Sequence, residues 1–226
     1  MNDFKKAKLY ADSCLMRYSK LLDYNSIDTT MNTPFSRSNE EILYQSNLDS
    51  SAKMLYPGSF LIDSTLYDSY SAQDLRKSLF FSINNEGLPI CRNSYSGDIT
   101  RFSGLAVDEV ILIRAECKAR LNDSIGALQD LATLLKSRWK NGAYISPSVS
   151  TSDEILQLIL TERRKELIFR GLRWSDIRRL NKLGAGITLK RIFNQQLYTL
   201  PPGDIRFVLP IPPDVISISG MEQNPR

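Results

Sequence analysis

Residues Thr161–Leu180, TERRKELIFRGLRWSDIRRL, decide how this chain folds. Glu162 and Glu166 stand one helical turn apart and share a face with Leu158, Ile159 and Phe169. A carboxylate on an apolar stripe needs a partner, because an unpaired buried charge costs several kcal/mol. Arg163, Arg170, Arg173, Arg178 and Arg179 are close by in the chain. The expected arrangement is an Arg–carboxylate network at a helix corner, where Gly171 lets the chain turn and Trp174 caps the bend. Glu162, Arg163, Glu166, Gly171, Arg173, Trp174 and Asp176 are thus read as a structural lock. The competing chemistry is a general acid/base pair of the glycoside-hydrolase type. Surrounding arginines would hold both carboxylates ionised, whereas a general acid must carry a proton. Architecture is the better reading.

Upstream, the helical period is strong. Val107, Val110, Ile111, Ala115, Lys118 and Leu121 mark one helix, and Ile125, Ala127, Leu128, Leu131, Leu134 and Leu135 the next. Asn122-Asp123-Ser124 joins them so tightly that they must form an antiparallel hairpin. Ala115, Ala119 and Ala127 let the backbones approach, with a spacing that resembles a tetratricopeptide unit. A linker at 146–150 leads to a third helix starting at Ser152-Asp153-Glu154 and carrying Ile155, Leu158 and Ile159.

Further out, the periodicity predicts a scaffold helix within residues 1–22, from Phe4 to Leu22 with Asp3 as its cap. Residues 23–104 lose it and become a loop-rich excursion with short helices near 39–44 and 71–79. Tyrosines and phenylalanines scattered through that stretch would pin it to the scaffold. Residues 105–183 hold the hairpin and the signature helices, and residues 184–226 are expected to form an irregular tail over the surface. The fold class is mostly α: tetratricopeptide-like helical hairpins with long irregular excursions.

Composition removes several chemistries. The 226 residues contain no histidine, which takes away the commonest general base and the commonest metal ligand. Cys14, Cys91 and Cys117 are odd in number and widely spaced with no CxxC pair, so neither a disulfide framework nor a zinc pattern can be read from them. No metal or cofactor is expected. Net charge is +4, with acids interleaved among the bases, so a nucleic-acid-binding face is not expected either. No apolar run is long enough to cross a bilayer, and the first residues lack the apolar core of a signal peptide.

The segment ERRKELIFRGLRWSDIRRL resembles the signature of the SusD/RagB family. DEVILIRAECKARLNDSIGALQDLATLLKSRW is similar to the family's helical hairpin, and LPIPPDVISISGMEQNPR to its ending. Tyr70-Ser71-Ala72-Gln73-Asp74-Leu75-Arg76 resembles a further family element. Arg170 departs from the pattern, standing where the family usually has glutamate. The resemblance implies a non-catalytic lipoprotein exposed on the outer membrane. Such a protein would bind an oligosaccharide or other nutrient beside a SusC-like TonB-dependent transporter. Family members are about twice as long and begin with a lipidated cysteine, so the chain is expected to correspond to the C-terminal half. Aromatic faces suit pyranose rings. Tyr56, beside Pro57-Gly58, and Tyr95, between Ser94 and Ser96, have the most exposed-looking neighbours and are the candidate ligand contacts. The alternative is a helical-repeat module that binds a peptide or protein.

Overall fold

Helix α1, Phe4–Arg17, opens on Asp3, whose carboxylate accepts the Lys6 N–H. It ends earlier than the apolar spacing predicts. Tyr18 is already extended, and its hydroxyl donates to the Glu40 carbonyl, so residues 18–22 serve a tertiary contact instead of a fifth turn. The computed structural model describes residues 3–48, 61–92, 95, 97, 100–149 and 151–225. It divides between Gly171 and Leu172 into two units.

In the first unit, α4 (Val107–Arg120) and α5 (Ser124–Lys136) are joined by a three-residue turn. Asn122 adopts a left-handed φ of 65° there, and Asp123 caps α5 by accepting the Gly126 N–H. Helix α6, Ser152–Glu166, starts at Ser152, as its sequence predicts. Thr151 and Glu154 form a reciprocal capping box. Helix α4 is the middle of the array, packed by α1, α5 and α6. Its Ile111, Leu112 and Ala115, together with Leu131, Leu134 and Ile159, are buried. The fold is therefore mostly helical and built on helical hairpins.

The excursion is ordered by pairing and by rings. Strand β1 (Ile42–Tyr44), in a stretch expected to be helical, pairs antiparallel with Leu105–Ala106. β-Branched and aromatic residues favour such pairing over one isolated helical turn. A short helix, α2 (Ser64–Asp68), is followed by α3 (Leu75–Phe80), which begins at the Asp74 cap and covers only the later part of the predicted 71–79 helix. Phe81–Ile83 pairs with Pro89–Cys91. Tyr24, Phe35, Tyr70, Phe80, Phe81, Tyr95 and Phe102 then form a second core, largely through edge-on and tilted ring contacts such as Tyr70–Phe81 at 5.2 Å.

The second unit is not the irregular tail expected of residues 184–226. It begins with α7, Arg173–Lys182, and contains a hairpin of Leu189–Phe193 with Gln196–Leu200 in unbroken antiparallel register. Asn194 and Gln195 both have positive φ, the geometry of a two-residue type I′ turn. A short helix, Pro213–Ser219, ends at left-handed Gly220. The terminal motif is held by side-chain amides. Gln223 donates to the Ile211 carbonyl and accepts its N–H, while Asn224 donates to the Leu209 carbonyl. Pro210 and Pro212 cannot donate backbone hydrogen bonds, and these amides anchor the carbonyls and N–H that remain.

Candidate functional site

The charged helix α6 sits in a network whose main members come from far along the chain. Arg76 donates to Asp74 at 2.7 and 2.9 Å, to Glu162 at 2.6 Å and to Glu166 at 3.0 Å. Lys165 donates to Glu162 at 2.9 Å and lies 3.2 Å from Asp74. Arg138 donates to the other oxygen of Glu166 at 2.7 Å, to Glu41, and to the Leu22 carbonyl at 2.8 Å. All of these side chains are buried.

This corrects the expected pairing. Arg163 turns to Glu109 at 3.1 Å, and Arg170 grips Asp108 with both guanidinium nitrogens. The arginines adjacent in sequence are thus engaged elsewhere, while Arg76, 90 residues from Glu166, takes the central place. A guanidinium fork can satisfy several carboxylates at once, which a nearby arginine on the same helix cannot reach around to do.

Gly171 lies at the end of the first unit with φ 75°, a conformation side chains rarely adopt. The remaining signature residues lie in the second unit. Asp176 is paired with Arg179 at 2.8 Å. Trp174, expected to cap a corner, lies tilted against Phe207 with ring centres 5.0 Å apart. Arg173 opens α7.

Catalysis finds little support in this arrangement. Glu162 and Glu166 are committed to cations, and the neighbouring cavity, lined by Tyr95, Arg101, Phe102, Glu166 and Arg170 among others, measures about 10 Å³. That is room for about one water, against ~300–1,000 Å³ for a small-molecule site.

Tyr56 lies outside the described residues. Tyr95 is placed differently from the expectation. It is only 7% exposed, with its ring between Phe35 and Phe102 and the Arg170 guanidinium 3.8 Å from its centre. Two flanking serines suggested exposure, but the ring turns into the aromatic core, and burial pushes its hydroxyl pKa well up. Exposed rings occur instead at Tyr44, opposite Leu105 on the short sheet, and on the second unit's hairpin. There Phe193 and Tyr198 are 61% and 47% exposed. Strand alternation places them on one face with Arg191 and Gln196, and Tyr198 donates to Gln196 at 3.0 Å. The local signal for this hairpin is Asn194-Gln195 flanked by two β-favouring runs, Ile192-Phe193 and Leu197-Tyr198.

The family model of the SusD family matches residues 107–226. No match was found among curated proteins. Among solved structures, the chain is similar to a SusD superfamily protein from Bacteroides thetaiotaomicron VPI-5482, with 21% identity and a TM-score of 0.69 over 99% of this chain and 57% of that one. It is similar to a SusD superfamily protein from Bacteroides vulgatus ATCC 8482, at 22% identity and TM-score 0.68, over 99% of this chain and 55% of that one. A SusD-like carbohydrate binding protein from the same organism matches at 23% identity and TM-score 0.59, over 88% of this chain and 47% of that one. The chain spans about half the length of these structures, and the likeness is one of fold.

Proposed function

The chain belongs to the SusD family, and from that membership we propose that it serves as a non-catalytic nutrient-binding subunit at the outer membrane, delivering an oligosaccharide to a SusC-like TonB-dependent transporter. The observation that carries this reading is the family match over residues 107–226, which takes in the α4–α5 hairpin, the signature and the amide-anchored ending. The engagement of Glu162 and Glu166 with cations supports a scaffold over a reaction centre. No helix among the described residues is long and apolar enough to cross a membrane, and attachment through a lipid anchor is part of the proposal.

Tyr44, Phe193 and Tyr198 are the proposed stacking surfaces, because flat apolar faces beside polar side chains suit pyranose rings. Isothermal titration against a panel of oligosaccharides, with a peptide panel beside it, tests the ligand class. Copurification with a SusC-like barrel tests the partnership. Binding of peptides alone, without the barrel, would move the assignment to a peptide-binding helical module.

A further inference from the structure

Charge is unevenly divided along the chain. The second unit, Leu172–Arg226, carries eight lysines and arginines against four acids, a surplus equal to the +4 of the whole sequence. That leaves 21 of the 29 bases and 21 of the 25 acids in the first unit, which is formally neutral. Within the second unit no acid stands between Asp176 and Asp204, a stretch that holds five bases. Those two aspartates are themselves engaged, by Arg179 at 2.8 Å and Arg206 at 2.7 Å.

The hairpin of Leu189–Phe193 with Gln196–Leu200 lies inside that stretch. Arg191 pairs across the ladder with Tyr198, and Phe193 with Gln196, so the four share one face. Tyr198 is thus directly opposite Arg191, at about 5 Å, and Phe193 two positions along the strand, at about 7 Å. Arg191 is exposed and makes no hydrogen bond or ion pair among the described residues. The Tyr198 hydroxyl donates to the side-chain carbonyl of Gln196, which leaves the Gln196 amide N–H groups to donate elsewhere. The face therefore offers two exposed rings, a guanidinium and an amide donor, with no carboxylate among them. A basic residue on an exposed hairpin also discourages edge-to-edge pairing, but that role needs neither the flanking rings nor the lack of acids.

Resting on the sugar-binding reading of this hairpin, we propose that the oligosaccharide is acidic, a uronate whose carboxylate is taken by Arg191 beside the rings of Phe193 and Tyr198. A neutral sugar would use the rings and the amide and leave the guanidinium hydrated. A uronate adds a planar carboxylate that the guanidinium fork matches with two parallel hydrogen bonds. A densely sulfated chain would call for several cations on one face. Here there is one, since strand alternation puts Lys190 on the opposite face with Ile192, Leu197 and Thr199.

Isothermal titration of the full chain against oligogalacturonate and oligomannuronate, each beside its uncharged methyl ester, tests this. At low salt one of the acids is expected to bind about fivefold more tightly than its ester. Sodium chloride at about 1 M, where the screening length is about 3 Å, is expected to erase the difference. Arg191→Gln is expected to erase it at low salt. Equal affinity for acid and ester, or a preference that survives in Arg191→Gln, overturns the proposal while sugar binding stands. Tighter binding of a dextran sulfate oligosaccharide than of either uronate overturns it as well. Binding of no sugar at all overturns both the acidic ligand and the sugar-binding reading. Should Arg191→Gln fail to fold, the salt series on the natural protein decides: a preference for the acid that persists at high salt overturns the proposal.

Discussion

Replacing Arg76 by alanine would leave Asp74, Glu162 and Glu166 sharing a buried space without their central guanidinium. Breaking a buried ion pair by removing one partner costs about 3–5 kcal/mol, so Arg76→Ala is expected to lower the melting temperature steeply or prevent folding. Glu162→Gln removes a charge while keeping the shape and is expected to cost about 1–3 kcal/mol. Thermal unfolding followed by circular dichroism checks both, and unchanged melting temperatures would deny the network any structural role. Glu162 and Glu166 announced in the sequence that they needed cations. Which cations they would find was not readable, because Arg76 and Arg138 reach α6 only after the chain has folded back on itself.

Among the elements, α6 depends on a local device and the second unit's hairpin on an equally local one. Thr151→Ala removes the capping box and should cost about 1 kcal/mol, measurable by urea unfolding. Phe193→Ala and Tyr198→Ala change exposed rings, so stability should stay within about 0.5 kcal/mol of the parent. If these rings stack on sugar, titration calorimetry should show each substitution weakening glycan binding by about tenfold. Equal affinity in both variants would remove the hairpin from the site. The α4–α5 hairpin was legible from apolar spacing because both helices bury one continuous stripe. The strand at Ile42–Tyr44 was not, since its partner is Leu105–Ala106, some sixty positions on.

For the whole molecule, a buried carboxylate sets the response to acid. Asp108 is held below 3.8 in the folded state, so its contribution is present above that value and is lost as pH falls through its lowered one. Denaturant midpoints measured across the pH range should therefore fall in strong acid. A midpoint that holds steady there would contradict this. The sequence by itself determined the helical class, the central hairpin and the family, because these rest on apolar periodicity and motifs contained within short stretches. Only the tertiary structure decided that Tyr95 is a core ring, that the last residues are tacked down by Gln223 and Asn224, and which groups neutralise α6. Those outcomes depend on distances between residues remote in the chain, and burial and ion pairing are properties of the packed molecule.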